Sequence, residues 1–206
     1  MEFYHNIITE KSFKILQALK RQYNFILIGG WAVFLFAGSL KSKDVDIILD
    51  YDELAKLKDE YDVIKNERLK KYEVKMEEVD IDIYLPHYSD LGIKVEEVKE
   101  RTVLRNGFRL PWLEVLFLLK LYAWQSRQGS VKGRKDELDI FSLAMLPEFN
   151  WNRYLSLIKD YNFENYHNSF VSLLRDAKNV KELNVNEQKM AKIRKEILKK
   201  FKTGKI

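Results

Sequence analysis

Two apolar runs joined by a glycine pair and a short helical segment constrain the fold of this chain most strongly. Phe25 to Ile28 is aromatic and β-branched, which predicts a buried strand. Gly29 and Gly30 follow directly and permit a tight turn and a close backbone approach that any side chain would block. Trp31 to Phe36 then predicts the start of a helix. A helix that starts after two glycines points free N–H groups and a positive dipole end forward, which favours a phosphate group.

The second apolar run carries two carboxylates one residue apart. Asp44 and Asp46 flank Val45 at the start of a run that continues to Leu49. Residues two apart in a strand leave from the same face, so these carboxylates are expected to lie together. Two acidic side chains on one face of an apolar strand repel each other and are costly to desolvate without a cation. The pair therefore predicts a shared metal ion.

The glycine pair, a spacer of thirteen residues and Asp44-Val45-Asp46 together resemble the signature of the nucleotidyltransferase superfamily related to DNA polymerase β. The resemblance implies an α+β fold, in which a small mixed β-sheet with flanking helices is followed by a helical C-terminal region. It also implies a third metal-binding carboxylate on a later strand of the same sheet.

The segment from Val79 to Leu85 supplies that third carboxylate. Asp80 and Asp82 alternate with isoleucines, so either carboxylate can reach the metal ions. We favour Asp82, because the apolar stretch that continues this strand into the core follows it. Asp80 is the alternative, and it is otherwise interpreted as a surface residue at the start of the strand.

A second stretch narrows the resemblance. Pro111 to Arg127 predicts an amphipathic helix with proline in its first turn and Lys120 in its apolar middle, and Arg134-Lys135-Asp136 begins the next helix. This arrangement resembles the bacterial and archaeal nucleotidyltransferases that include abortive-infection toxins. The resemblance implies that Lys120 and Asp136 complete the nucleotide site and that Arg134 and Lys135 contact phosphates. Alternatively, Lys120 extends from a core helix to solvent, and Asp136 merely favours a first helical turn.

One position departs from the family pattern. Gly30 stands where many members have serine, which removes a hydroxyl group that could hold a phosphate. Ser42, two residues before Asp44, is the candidate that supplies such a hydroxyl instead.

Composition limits the class of protein. The chain has 206 residues, enough for one or two small domains with a real core. It has no cysteine, so disulfides and thiolate zinc sites are excluded. No apolar run approaches the roughly 20 residues of a membrane span, and the first residues do not resemble a signal peptide. We therefore expect a cytoplasmic protein without membrane association. Charged residues make up 33% of the chain, and their richness in Lys and Glu is typical of proteins from hyperthermophiles.

The remaining pattern predicts the order of elements. Helices are expected over 9–22 and 52–59, strands over 61–65, 69–77 and 79–85, and a strand pair around the Asn106-Gly107 turn. From Pro111 onward the chain is predicted to be helical, ending with a helix from Val185 to Phe201. We expect a nucleotidyltransferase catalytic domain over 1–110 and a helical domain over 111–206 that completes the nucleotide site.

Positive charge is concentrated at the end of the chain. The net charge is +5, and basic residues crowd the last predicted helix and the tail. They are Lys189, Lys192, Arg194, Lys195, Lys199, Lys200, Lys202 and Lys205. This segment is either a packed helix with a solvated basic face or a surface for a phosphate-rich partner such as tRNA.

The resemblance implies metal-dependent transfer of a nucleoside monophosphate from an NTP to a hydroxyl group, with release of pyrophosphate. Asp44, Asp46 and Asp82 would hold two Mg²⁺ ions, with Mn²⁺ as an alternative, and Asp82 could also receive the hydroxyl proton. Gly29 and Gly30 would hold the β- and γ-phosphates.

The acceptor is less constrained by the sequence. It is expected to be tRNA, another RNA or a protein, with the chain acting as a toxin that has a cognate antitoxin. A small hydroxylated acceptor, as for antibiotic nucleotidyltransferases, and a non-catalytic nucleotide-binding module are the alternatives.

Overall fold

A computed structural model describes residues 6–203, with side chains up to Phe201, and the chain divides into two compact units between Trp112 and Leu113. Each unit has its own buried core. Within the described residues, every helix is too short or too polar to span a lipid bilayer.

The first unit is a seven-stranded mixed sheet with helices. The strands are β1 Ile26–Ile28, β2 Val45–Ile48, β3 Ile64–Asn66, β4 Lys71–Met76, β5 Val79–Tyr84, β6 Thr102–Arg105 and β7 Phe108–Pro111. The helices are α1 Asn6–Gln22, α2 Gly29–Ala37, α3 Tyr51–Glu60 and α4 Val95–Glu100.

The strands follow the order β3-β4-β5-β2-β1-β7-β6. Strand β2 runs parallel to β5, and β1 runs parallel to β7, while the other neighbouring pairs are antiparallel. The central strands are the most apolar, and Leu27, Ile47 and Ile81 are fully buried there. The predicted α+β class, a mixed sheet with flanking helices and a helical C-terminal region, is confirmed.

Alternation fixes which face of β5 meets the core. Val79, Ile81 and Ile83 are fully buried, whereas Asp80 is exposed and Asp82 is partly exposed. A shift of one residue would turn the isoleucines to the opposite face, so burial specifies the register of this strand.

Several predicted boundaries move by one to three residues. Helix α2 begins at Gly29 rather than Trp31, strand β3 begins at Ile64 rather than Tyr61, and β4 begins at Lys71 rather than Leu69. The Lys70 backbone adopts a positive φ of 50°, which turns the chain just before β4.

The predicted start of a helix at Pro111 was wrong. Pro111 is the last residue of β7, where it pairs with Thr102 of β6. The N–H of Trp112 donates to the carbonyl of Arg101 at 2.7 Å, so hairpin bonding continues one residue beyond the strand. Proline is tolerated here because Trp112, and not Pro111, is the residue that donates to β6 at this end of the hairpin.

The second unit is helical. Its helices are α5 Leu113–Gln125, α6 Val131–Ala144, α7 Trp151–Asp160, α8 Glu164–Asp176 and α9 Glu187–Thr203, with a 3₁₀ turn at Lys181–Leu183. The last helix begins two residues later than predicted, because Val185 pairs with Val180 in an isolated β-bridge.

Helix α5 is not amphipathic, contrary to the sequence-based prediction. Its side chains are buried on every face from Leu113 to Leu119, because α6, α7 and α8 all pack against it. Phe117 anchors this core, with edge-to-face contacts to Phe149, Tyr154 and Phe170 at centroid distances of 5.1, 5.3 and 5.1 Å. Each such pair contributes about 1 kcal/mol beyond its buried area.

Candidate active site

Two of the predicted metal ligands lie side by side on the sheet. Asp46 of β2 pairs in register with Asp82 of the parallel strand β5. Cross-strand partners share a face, so both carboxylates leave from the same side of the sheet. Asp80 leaves from that side as well, but two residues nearer the start of β5, where it is exposed. The register therefore favours Asp82 over Asp80 as the neighbour of Asp46.

The glycine pair lies against this carboxylate. Ile28, the last residue of β1, pairs with Asp46, and Gly29 follows with a positive φ of 65°. A Cβ atom at position 29 would lie 2.0 Å from Oδ2 of Asp46. Only glycine fits this approach, because both the backbone conformation and the space exclude a side chain. The first turn of α2, which includes the buried Gly30, thus begins beside Asp46.

Asp44 and Ser42 lie just before β2. Asp44 is in the bend that leads into the strand, and one of its carboxylate oxygens is 3.8 Å from the ammonium of Lys43. Ser42 is buried in the preceding loop. Its predicted contact with a phosphate stays a prediction.

A lysine that the sequence interpretation missed bonds to Asp82. The Nζ of Lys71, on β4, lies 2.7 Å from Oδ2 of Asp82 and 2.9 Å from Oε1 of Glu73. Burial acts to lower the pKa of Lys71, but its hydrogen bonds to Asp82 and Glu73 outweigh burial and raise the pKa. The hydrogen bond from Lys71 also lowers the pKa of Glu73.

Glu73 extends the acidic row to a third strand. It pairs with Asp82 in the antiparallel β4–β5 ladder, so Asp46, Asp82 and Glu73 stand in one row across β2, β5 and β4. The signal in the sequence was the alternation of Lys71, Glu73 and Lys75 with buried Val74. It becomes informative only when the register with β5 is known.

The donor set has the chemistry that a divalent cation requires, because Mg²⁺ and Mn²⁺ prefer carboxylate oxygens. Adjacent strands bring two of these donors together, and a third stands at the entry to β2. Nevertheless, across the described residues no three acidic, histidine or cysteine side chains are arranged as a metal cluster. The ammonium of Lys71 supplies the positive charge at Asp82.

The predicted residues of the helical unit form a separate charged cluster between α5 and α6. Lys120 lies 3.2 Å from Oδ1 of Asp136 and 2.8 Å from Oδ2 of Asp139, and Arg127 lies 3.3 Å from Oδ2 of Asp136. Lys135 forms an ion pair with Asp139, which is completely buried. Burial lowers the pKa of Lys135. Lys120 and Asp136 are thus in direct contact, and their predicted role in the nucleotide site stays a prediction.

Arg134 and Lys135 have different surroundings. Arg134 binds Glu137 at 2.8 Å and Glu182 of the 3₁₀ turn at 3.0 Å, whereas Lys135 is buried beside Asp139. Their predicted contacts with phosphates stay predictions.

Glu114 is a further buried charged residue that the sequence analysis did not identify. It accepts a hydrogen bond from the backbone N–H of Asn150 at 2.7 Å and binds Arg153 at 3.0 Å. These contacts tie the start of α5 to the start of α7, so we interpret Glu114 as structural.

A cleft of about 670 Å³ lies between α8 and α9. Apolar and aromatic groups form part of its lining, among them Phe201, Leu198 and Val171. Basic residues line it as well, namely Arg175, Lys195 and Lys199. The cleft therefore combines surface suited to a flat ring with cations suited to phosphates.

The sequence matches no protein-family model and no curated protein. Solved structures do resemble this chain. JHP933 from Helicobacter pylori matches with a TM-score of 0.53 and 16% identity over 95% of this chain and 93% of its own. A candidate nucleotidyltransferase from H. pylori matches with a TM-score of 0.54 and 19% identity over 97% of each chain.

ANT(2″)-Ia in complex with adenylyl-2″-tobramycin matches with a TM-score of 0.55 and 15% identity, over 76% of this chain and 98% of its own. The likeness extends to the fold, and the narrower resemblance to abortive-infection toxins stays a prediction. The sheet, the glycine turn and these structures together show that this chain has the nucleotidyltransferase fold.

Proposed function

We propose that this protein transfers a nucleoside monophosphate from an NTP to a hydroxyl acceptor and releases pyrophosphate. One observation carries the proposal. In a nucleotidyltransferase fold, Asp46 and Asp82 are cross-strand neighbours on β2 and β5, and the backbone of Gly29 lies directly against Asp46. A turn that presents backbone N–H groups beside paired carboxylates suits a triphosphate with its divalent cations.

Asp44, Asp46 and Asp82 are the residues that would hold the metal, as two Mg²⁺ ions or Mn²⁺ in their place. When bound, such ions neutralise charge on the α-phosphate and lower the pKa of the acceptor hydroxyl. The chain's own contribution is to fix Asp46 and Asp82 on a rigid sheet, with Asp44 at the entry to β2, since β2 and β5 are central strands with buried neighbours.

The start of α2 would hold the phosphates. Its first backbone N–H groups have no partner within the helix, and its dipole is positive at this end. Gly29 and Gly30 permit the β- and γ-phosphates to approach these groups closely. Ser42, Lys120, Arg134, Lys135 and Asp136 are further nucleotide-binding residues in this proposal, on the strength of the family resemblance.

The reaction balances without a further reactant. The acceptor hydroxyl oxygen attacks the α-phosphorus, and the bond from that phosphorus to the bridging oxygen of the β-phosphate breaks. Pyrophosphate leaves with the bonding electrons, and the hydroxyl proton passes to a carboxylate oxygen of Asp82.

RNA is the acceptor that we propose first. The cleft between α8 and α9 offers an aromatic ring, Phe201, next to Lys195, Lys199 and Arg175. A base can stack on such a ring while its phosphates meet the cations, and both contacts tolerate any sequence. Helix α9, which supplies Lys195 and Lys199 to the cleft, is rich in lysine along its length.

The experiment is to incubate the purified protein with each α-³²P-labelled NTP, Mg²⁺ and total cell extract. We expect label in the RNA fraction, and we expect Asp44→Ala and Asp46→Ala to remove it. Full transfer by either variant would refute the proposed site.

A small hydroxylated molecule is the second candidate acceptor, because the fold matches that of ANT(2″)-Ia in complex with adenylyl-2″-tobramycin. The double variant Lys195→Glu/Lys199→Glu separates the two candidates. If RNA is the acceptor, charge reversal lowers RNA labelling by more than about tenfold at moderate salt. If the acceptor is a small molecule, label appears in that fraction and the double variant keeps full transfer.

A further inference from the structure

We propose that Lys71 is an internal cation that competes with the divalent metal for Asp82, and that Glu73 receives Lys71 when the metal binds. The inference rests on the proposed metal site of Asp44, Asp46 and Asp82. It assigns to Lys71 and Glu73 the role of setting how tightly that site binds metal.

The geometry places Lys71 where a metal ion would meet Asp82. Its Nζ lies 2.7 Å from Oδ2 of Asp82, and both side chains are largely shielded, with 12% of Lys71 and 21% of Asp82 exposed. A partly shielded ion pair is screened less by salt than an exposed one. A metal that uses this oxygen must therefore displace an ammonium, and the displacement weakens its net binding.

Glu73 makes the displacement feasible. It lies 2.9 Å from the same ammonium and is held by the side-chain amide of Asn66 at 3.1 Å. When Lys71 leaves Asp82, it stays paired with the carboxylate of Glu73. The ammonium is therefore not left unpaired in a largely buried position. The lysine thus has two docking carboxylates, and only one of them belongs to the proposed metal site.

This arrangement predicts opposite effects for the two residues. Lys71→Met removes the competitor, so Mn²⁺ should bind about three- to tenfold more tightly. Glu73→Gln removes the alternative partner and leaves Lys71 on Asp82 alone, so Mn²⁺ should bind more weakly by a similar factor.

The experiment titrates the nucleotide-free protein with Mn²⁺ and follows binding by electron paramagnetic resonance and by calorimetry. Lys75→Met is the matched control, because Lys75 is on the same strand and face but stands opposite Asp80. It loses the same charge without losing a contact with Asp82, and its affinity should change less than twofold. In the Lys71→Met background, Glu73→Gln should lose most of its effect.

Three outcomes would overturn the inference: no tightening in Lys71→Met, an equal tightening in Lys75→Met, or an undiminished effect of Glu73→Gln without Lys71. Thermal unfolding without metal shows that each variant folds, and Lys71→Gln replaces Lys71→Met if the latter does not.

The variant Asp46→Asn distinguishes failure of the proposed metal site from failure of the proposed role of Lys71. If Asp46→Asn leaves Mn²⁺ binding unchanged, the proposed metal site itself fails. If Asp46→Asn abolishes binding while Lys71→Met matches the parent, only the role of Lys71 fails.

Discussion

Two charged clusters in this molecule differ in how their charges are balanced. In the helical unit, Asp136 and Asp139 are buried and already surrounded by cations from Lys120, Lys135 and Arg127. On the sheet, carboxylates outnumber the neighbouring lysines, and their side chains remain partly exposed. The carboxylates of this second cluster are Asp44, just before β2, and Asp46, Glu73, Asp80 and Asp82 on the strands, and the lysines among them are Lys43, Lys71 and Lys75.

The difference shows that the burial of a charged cluster determines whether the protein itself must supply the counter-ions. A buried cluster must carry its own counter-ions, because an unpaired charge in the interior is very costly. A partly exposed cluster with excess negative charge is tolerated by the fold and attracts cations from solution. We therefore expect loss of the buried Asp139 carboxylate to lower mainly stability, and loss of a carboxylate on the sheet to lower mainly activity.

The pair Asp46→Asn and Asp139→Asn tests this contrast most strongly. Asp46→Asn should lower nucleotide transfer by more than about a hundredfold, because it removes a proposed metal ligand. Its free energy of unfolding should change by less than about 1 kcal/mol, because the carboxylate is only partly buried and faces other carboxylates.

Asp139→Asn should behave in the opposite way. It leaves the buried ammonium of Lys135 without its carboxylate and should lower the free energy of unfolding by about 3–5 kcal/mol. Denaturant unfolding of both variants gives the comparison. Equal losses of stability in the two variants would contradict this difference between a buried and a partly exposed carboxylate.

The glycines at the two ends of α2 provide a smaller and matched test. Gly29 is the first residue of α2 and Gly38 follows its last residue, with nearly the same positive φ, 65° and 63°. A Cβ atom would collide with Asp46 at position 29 but would meet no atom within 4 Å at position 38. Alanine at position 38 should lower stability by about 1–2 kcal/mol through backbone strain, and alanine at position 29 should lower it further, because its Cβ atom also collides with Asp46. Only Gly29→Ala should also weaken Mn²⁺ binding and transfer. Equal activity in the two variants would show that the approach to Asp46 has no functional role.

The smallest expected effect is a dependence of stability on pH in the helical unit. His167 is buried, its Nδ1 lies 3.0 Å from the hydroxyl of Tyr154, and burial lowers the pKa of His167 below 6.5. The unfolded chain therefore binds a proton at a higher pH than the folded chain does. Stability should be fully present above pH 6.5 and should fall below it, by at most about 1.4 kcal/mol per pH unit.

Urea unfolding between pH 5 and pH 8 measures this dependence, and His167→Gln is the control that should lack this contribution. The sheet carboxylates are unchanged by that substitution, so Mn²⁺ binding at pH 7.5 should match the parent. An unchanged pH dependence in His167→Gln would show that other groups cause it.

Local patterns were sufficient to predict the strands that carry the proposed metal ligands. The segments of β2 and β5, and of β1 before the glycine pair, are short apolar or alternating runs. Such runs predict a strand and the face on which each side chain lies. Pro111 shows where local reasoning fails, because its position as the end of β7 depends on pairing with Thr102 in another strand. The amphipathic interpretation of α5 failed for a related reason, since burial on every face results from three separate helices.

The site was predicted only in part, because the alternation along one strand is local whereas the register between strands is not. Asp46 beside Asp82 was expected from the alternation of each strand and from the family resemblance. The contacts of Lys71 with Asp82 and Glu73 depend on the register between β4 and β5, and charge patterns alone do not specify that register. The complete burial of Asp139 depends on the packing of α6 on α5, which local sequence patterns do not specify.

The most direct test of the central claim compares Asp82→Asn with Asp80→Asn in transfer from the preferred α-labelled NTP at saturating Mg²⁺. The two residues are on the same strand and face, but only Asp82 is in register with Asp46. We predict that Asp82→Asn loses more than about a hundredfold in transfer, whereas Asp80→Asn stays within about threefold of the parent. Full activity in Asp82→Asn, or an equal loss in Asp80→Asn, would contradict a metal site built on the pairing of Asp46 with Asp82.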